Sequence, residues 1–239
     1  MQNLGRLAEL ARDNTPAGRR ALVDAVTDMF MTAAPDQVDH ISLLFGDIVL
    51  KVIGKLEEEA RMALAVRISE ADAAPRDLIM SLAADQINVA APILAGSPVL
   101  TTGDLVSIAE TGSMDHLGVI ADRRPLSEAV TTVIVNRGNT EVLATVASNE
   151  QARFTANAFD MLLEKARHHP MIQEALIGRE DLPAEGARNL VPYLSEELKK
   201  RILDLGETGR WCRSWRSVPH RKCRLRCVIW AVRSRVRRC

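Results

Sequence analysis

The segment LGVIADRRPLSEAVTTVIVNRG, residues 117–138, joins two apolar stretches through a polar turn that contains a proline. With Ile120 taken as an anchor position, apolar anchors recur along the chain at intervals of 26, 26, 26 and 30 residues. The anchors are Ile68, Leu94, Ile120, Val146 and Leu176. A repeat of this length is typical of proteins in which each copy is a helix, a turn and a second helix.

Two further positions keep this register. The residue six places after each anchor is apolar in all five copies, and the residue fourteen places after it is apolar in four, with Asp160 as the exception. Residues that favour helix starts follow the turns. They are Pro75, Thr101, Ser127 and Pro183. Because Asp104 lies three residues after Thr101, this pair is predicted to form a capping box.

The segment VTTVIVNRG at 130–138 gives two conflicting signals. Its β-branched residues favour a strand on local propensity. The register places it opposite 104–110 and 78–84, which have helical spacing. Register is preferred over local propensity, so the segment is predicted to be a helix.

The preceding residues are also predicted to be helical. Apolar side chains recur at helical spacing in 4–11, 17–34, 37–56 and 57–69, and Thr15-Pro16 has the pattern of a helix start. The predicted fold is all-α: a right-handed helical-repeat solenoid of about 26-residue units with an N-terminal helical bundle. Residues 1–205 form this domain, with N-terminal helices in 1–60 and repeats in 61–205. Ser195 is predicted to cap a last helix.

Several phrases in this order resemble a known bacterial family. They are LIMSLAADQINVAAPILAGSPVLTTGDLVSIAETG, LGVIADRRPLSEAVTTVIVNRGNTEVLATVASN and LIGREDLPAEGARNLVPYLSEELKKRIL. The chain from about Leu4 to about Leu203 resembles the alphaproteobacterial domain of unknown function 2336, which is similar to leucine-rich-variant and HEAT-like repeats. The resemblance implies a helical-repeat fold and supplies no catalytic or ligand residues.

Composition changes sharply near the end of the chain. Residues 210–239 carry eleven Lys or Arg and no acidic residue, whereas the preceding 209 have a net charge of −11. All four cysteines and all three tryptophans also lie beyond residue 209. This density of Arg, Cys, Trp and Ser is typical of a GC-rich gene read in a shifted frame. Residues 206–239 are therefore interpreted as a disordered basic tail or a frameshift product.

The candidate metal ligands are weak. His220, Cys223 and Cys227, with Cys212 or Cys239, could hold zinc, but a second close cysteine pair is missing and the neighbouring arginines would repel a cation. The adjacent pair His168-His169 would point about 100° apart on a helix, so both rings rarely reach one ion. No metal and no cofactor are predicted.

Catalytic signals are also weak. The chain has no GxSxG motif and no phosphate-binding glycine loop, and acidic residues such as Asp122, Glu128 and Glu141 are typical of a solvated surface. Arg123-Arg124 with Arg137 could form a basic spot. An enzyme is not excluded, but no residue is assigned a catalytic role.

The sequence favours an uncharacterised protein–protein interaction or scaffold module. The alternatives are an enzyme or a nucleic-acid-acting protein that uses a HEAT-like cleft. Residues 210–239 would bind nucleic acid or anionic lipid non-specifically through their charge. No apolar run reaches the ~18–20 residues of a membrane span, and no signal peptide precedes the first helix, so a cytoplasmic protein without a membrane span is expected.

Overall fold

The computed structural model describes residues 2–179, 181–182 and 184–200. Within these ranges the secondary structure is helical, without a strand, which confirms the predicted all-α class. The first eight helices are α1 Gln2–Arg12, α2 Pro16–Met31, α3 Val38–Val52, α4 Glu58–Ile68, α5 Arg76–Ala83, α6 Ile87–Gly96, α7 Thr102–Thr111 and α8 Met114–Asp122. The others are α9 Glu128–Arg137, α10 Thr140–Ser148, α11 Ala156–Ala166, α12 Pro170–Ile177 and α13 Ala184–Leu190. Short 3-10 helices occupy Ile53–Lys55 and Val191–Tyr193.

The chain divides into two compact units, Met1–Arg123 and Arg124–Cys239. In the first unit α2 contacts α1, α3 and α4, and from there α4 packs on α6 and α6 on α8. Helix α3 packs on α5, which in turn contacts α4 and α6. Helices therefore pack on their second neighbours along the chain as well as on their first.

The second unit shows the same kind of packing. Helix α9 contacts α10 and α11, α10 packs on α12, and α11 packs on both α12 and α13. Phe154 and Phe159 pack with their ring centroids 4.9 Å apart, next to the start of α11. A parallel bridge between Leu126 and Ala152 joins the segments that precede α9 and α11.

The positions of the sequence register lie in the core. All five anchors have no exposed surface, and the residues six places after them are buried in every copy. Fourteen places after the anchors, the four apolar residues are buried and Asp160 is exposed. The buried members of these two sets are Ala74, Leu100, Leu126, Ala152 and Leu182, and Leu82, Ile108, Ile134 and Leu190. Among the residues fourteen places after the anchors, the one polar residue, Asp160, is therefore also the one that is exposed to solvent.

The β-branched segment is helical, as the register predicted and against its local propensity. It forms α9, in which Val130, Ile134 and Val135 are buried. Thr131 is also buried, and its hydroxyl donates to the carbonyl oxygen of Arg153 at 2.6 Å. Burial of one helical face against α10 and α11 stabilises this conformation more than the ~0.5 kcal/mol per residue by which β-branching disfavours a helix.

Most of the predicted helix starts are confirmed. The Thr15 hydroxyl accepts from the Gly18 amide at the start of α2, and Thr101 with Asp104 forms the full capping box of α7. The Ser195 hydroxyl accepts from the Leu198 amide at 3.1 Å. Ser127 precedes α9 without a capping hydrogen bond from its side chain. Pro183 lies outside the described residues.

Candidate functional site

Buried ionisable side chains are the first places to look for chemistry, because catalytic groups depend on perturbed environments. Arg61 and Asp85 form a bidentate pair between α4 and the start of α6, with N–O distances of 2.6 and 3.1 Å. Burial raises the pKa of Asp85, but hydrogen bonds from Arg61 and from the Gln86 amide outweigh it, so the pKa lies below its usual value. This carboxylate is ionised and fully engaged, which suits a structural contact between helices.

Asp104 is the most buried carboxylate among the described residues. It accepts from the Thr101 amide at 2.9 Å and from the Thr101 hydroxyl at 2.7 Å, and it pairs with Arg76 of α5. Burial raises the pKa of Asp104, and the bonds from Thr101 and Arg76 lower it by more, so the net shift is downward. Asp104 therefore both starts α7 and joins it to α5.

A carboxylate with a lowered pKa in the folded state stabilises that state above its unfolded pKa of about 4, and the contribution is lost as pH falls through the folded value. We expect Asp104→Asn to lower the free energy of unfolding at pH 7 by about 1–2 kcal/mol, as other lost caps do. Denaturant titrations at pH 7 and pH 3 measure this, with the exposed Asp77→Asn as a control. If the wild type and Asp104→Asn lost the same stability between these pH values, the structural role would be wrong.

His116 is buried with both ring nitrogens occupied. Its Nε2 lies 2.9 Å from the carbonyl oxygen of Asp85, which can only accept, so Nε2 carries the proton. Nδ1 then accepts from the Ser113 hydroxyl at 2.8 Å. With no free nitrogen, His116 cannot bind a metal or act as a base without breaking one of these two hydrogen bonds.

Two arginines occupy the same register position, three residues after an anchor. Arg123 donates to the carbonyl oxygens of Leu94 and Ser97 at 3.0 and 2.5 Å. Burial lowers the pKa of the Arg123 guanidinium. Arg123 is therefore half-buried and bound to the end of α6 and the turn after it, and it is not available for the surface basic spot predicted with Arg124 and Arg137.

Arg179 does the same in the second unit. Its guanidinium donates to three carbonyl oxygens at the end of α10 and in the turn that follows it, at 2.6 to 3.1 Å. It also forms a bidentate pair with Asp181 and lies 4.7 Å above the Phe154 ring. The three acceptors are Ala147, Asn149 and Ala152. Arg123 thus joins the end of α8 to the turn after α6, and Arg179 joins the turn after α12 to the turn after α10.

The other candidates from the sequence form no site in the described part of the chain. Asp122, Glu128 and Glu141 are exposed. His168 is exposed, and His169 makes a long contact of 3.5 Å with the Thr140 hydroxyl. No group of three or more His, Cys, Asp or Glu side chains in the described ranges could hold a metal ion. The zinc candidates of the cysteine-rich segment, and the basic residues 210–239, lie outside the described residues.

Two open grooves lie in the first unit, and neither holds convergent catalytic groups. The first lies between α1 and α2 and includes Asp24 and Asp28, which both pair with Arg67. The second lies beside the start of α2 and is lined by Arg20, Lys55 and Glu57 with apolar neighbours. Without a buried nucleophile or base, these grooves offer surface for contact and no assembled chemistry.

Exposed apolar side chains are the features of the surface that the sequence did not single out. On α4, Met62 and Val66 are 40% and 58% exposed, next to the exposed Ala63. On α3, Leu43 and Leu44 are 70% and 50% exposed. Both helices are apolar on more than one side, so periodicity alone could not show which side is covered. Only the packing of the neighbouring helices decides it.

Helix α6 packs beside α4. Asn88 at the start of α6 donates to Glu58 at the start of α4, at 2.9 Å, so the two helices lie side by side with their N-termini together. Helix α6 contains no charged residue, and its Ala95 is exposed. We define the α4–α6 surface as Met62, Ala63, Val66, Asn88 and Ala95. The exposed acids Glu59 and Glu70 flank it on α4 and just after it.

Comparison with known proteins gives one match. The model of a family described as an uncharacterised protein conserved in bacteria, DUF2336, matches residues 89–212, just over half of the chain. No curated protein and no solved structure matches the chain. In the described ranges, no helix has the length and apolar character needed to cross a membrane.

Proposed function

The chain belongs to the DUF2336 family of uncharacterised bacterial proteins, and we propose that it is a helical-repeat module that binds a partner protein. The repeat is the HEAT-like solenoid unit of about 26 residues, with repeats in 61–205 after N-terminal helices in 1–60. The partner binds to the α4–α6 surface. We place this activity in the cytoplasm, in keeping with the absence of cysteine from residues 1–209.

The proposal that the chain is built of helical repeats is supported by the packing of each helix on its second neighbour along the chain. Helices α4, α6 and α8 contact one another in sequence in the first unit, and α9, α11 and α13 do so in the second. Because Arg123 and Arg179 hold equivalent register positions and reach equivalent turns, the contact between successive copies is specific as well as apolar. Proteins built in this way bury their core between neighbouring copies and present extended surfaces to partners.

The proposal that the chain binds a partner protein is supported by the exposed apolar residues of the α4–α6 surface. Met and Val side chains at 40% and 58% exposure are costly to leave in water, and an uncharged neighbouring helix widens the apolar area. The acids Glu59 and Glu70 at its border favour a partner whose apolar side chains are bordered by Lys or Arg. By contrast, each buried ionisable group of the described ranges discussed above is engaged in a structural contact, so an enzymatic function has no specific support.

The experiment compares partners recovered from native cells. Tagged full-length wild type, Met62→Glu/Val66→Glu and Leu43→Glu/Leu44→Glu are purified in parallel and quantified by isotope-labelled mass spectrometry. The first variant should lose the specific partner about tenfold or more, because a charge at the centre of an apolar interface costs at least about 1.4 kcal/mol. The second carries equally exposed substitutions on α3 and should retain it.

Circular dichroism melting shows that each variant remains folded before the comparison. Equal recovery of every protein by the wild type and by Met62→Glu/Val66→Glu would contradict binding through the α4–α6 surface. Material recovered only through nucleic acid, and released by salt, would instead assign the interaction to the basic residues 210–239.

A further inference from the structure

Helix α3 has one packed side and one open side. Phe45, Gly46 and Val49 are buried, and Phe45 stacks on Phe30 of α2 with ring centroids 4.8 Å apart. A side chain at Gly46 would meet Pro75 at 2.8 Å, so the packed side is held tightly against the start of α5. Leu43 and Leu44, at 70% and 50% exposure, lie outside this contact. The two adjacent leucines form an exposed apolar patch on the open side of the helix.

Charged side chains lie on either side of the two leucines in an ordered way. At 100° per residue, His40, Leu44, Asp47 and Lys51 fall within about 60° of one another around the helix axis. All four are exposed, as is Asp36 just before the helix. None of the charged members forms an ion pair with another residue in the described ranges. Along the chain, Asp36 and His40 come before the two leucines, and Asp47 and Lys51 come after them.

This pattern is complementary to a second copy of itself when the two helices run antiparallel. About a point between Leu43 and Leu44, residue 36 is opposite residue 51, and residue 40 is opposite residue 47. At 1.5 Å per residue, His40 and Asp47 each lie about 5 Å from that point and Lys51 lies about 11 Å from it, while Asp36 lies in the turn just before α3 begins at Val38. Asp36 would thus face Lys51, and His40 would face Asp47. A parallel pairing would instead place Asp36 on Asp36 and Lys51 on Lys51.

We propose that the open side of α3 binds the α3 helix of a second copy of this chain, antiparallel and related by a twofold axis near Leu43 and Leu44. In such an interface the same surface serves both copies, so two leucines on one chain meet two on the other. Four leucines are excluded from water together, and two Asp36–Lys51 ion pairs and two His40–Asp47 hydrogen bonds border them. The self-complementary charges select a second copy over an unrelated protein, which would need no such symmetry.

The dimer is reversible and weak. A contact between single helices lies at the small end of protein interfaces, below about 1,200 Å² of total buried area. Dissociation constants in the micromolar range are expected for such contacts. Partner binding through the α4–α6 surface uses other residues, so either interaction can fail while the other holds.

Sedimentation velocity and equilibrium of the full chain test the dimer, from about 1 to 100 µM. A reducing buffer at moderate salt keeps the four cysteines and the basic end of the chain from causing association. The wild type should shift from a 26.3 kDa monomer toward twice that mass. Leu43→Glu/Leu44→Glu should stay monomeric, and Met62→Glu/Val66→Glu should dimerise as the wild type does. A monomeric wild type, or a dimer that the α3 variant leaves unchanged, would overturn the proposal.

Charge exchange tests the antiparallel geometry. Asp36→Lys and Lys51→Asp should each weaken the dimer by about three- to tenfold, because each places like charges opposite one another. The double variant Asp36→Lys/Lys51→Asp restores opposite charges in both outer pairs and should return to the wild-type dissociation constant. If its effect were instead the sum of the two single substitutions, the proposed pairing would be wrong.

Discussion

Replacing Ile120 by aspartate is expected to unfold the first unit near physiological temperature. Ile120 has no exposed surface and lies in α8, which packs on α6 and α7. A carboxylate there has no partner, and burying an unpaired charge costs several kcal/mol in addition to the lost apolar burial. This is comparable with the ~5–15 kcal/mol that keeps a typical domain folded. Ile134→Asp in α9 is expected to do the same to the second unit.

Thermal melting by circular dichroism measures both effects. A loss of about 4 kcal/mol lowers the melting temperature by roughly 8–16 °C in a chain of this size. Ala129→Asp provides the matched control, since Ala129 is an exposed residue of α9. Its melting temperature should stay within about 2 °C of the wild type, as surface substitutions change stability by no more than about 0.5 kcal/mol. Unchanged melting of Ile120→Asp and Ile134→Asp would show that the register is wrong.

Arg179→Met is expected to destabilise the second unit by about 3–5 kcal/mol, as removal of one partner from a buried polar network does. The substitution removes the guanidinium donor from three buried carbonyl oxygens, of which only that of Asn149 is shown to keep another donor, the Ala152 amide, and it removes the contact with Phe154. Each unsatisfied acceptor alone costs about 1–3 kcal/mol. Arg179→Lys should recover little, because one ammonium group cannot reach acceptors spread over Ala147, Asn149 and Ala152 while also pairing with Asp181.

Denaturant unfolding monitored by circular dichroism measures this effect. Arg153→Met is the control, because Arg153 follows one of the acceptor residues and its side chain is exposed. It should leave the midpoint unchanged. Wild-type stability of Arg179→Lys would mean that charge alone matters at this position and that the spread of donors does not.

The fold class could be predicted because it depends on local signals that repeat. Thr101 with Asp104 specifies a helix start within four residues, and the 26-residue spacing of the anchors identifies the buried positions. The same spacing identified the helical state of 130–138, where local propensity alone favours a strand. A signal shared by several copies is stronger than the preference of any one segment.

The roles of Arg123 and Arg179 could not be predicted in the same way. Arginine in a polar turn usually lies on the surface, and the carbonyl oxygens that these two side chains contact lie 26 to 32 residues earlier. The exposure of Leu43 and Leu44 on α3 could not be predicted for a related reason. Leu43 and Leu44 have the same apolar character as Phe45 and Val49, so the sequence could not show which of them the neighbouring helices cover.

In a helical-repeat protein of the kind proposed, each copy is stabilised mainly by its immediate neighbours. Hydrogen exchange with mass spectrometry on Ile120→Ala tests it most directly. This substitution leaves a cavity worth about 2–5 kcal/mol without introducing a charge. We expect amide protection to fall most in α6, α7 and α8 and to change progressively less in helices further along the chain. An equal loss of protection from α2 to α12 would show a single undivided core and would contradict the repeat organisation.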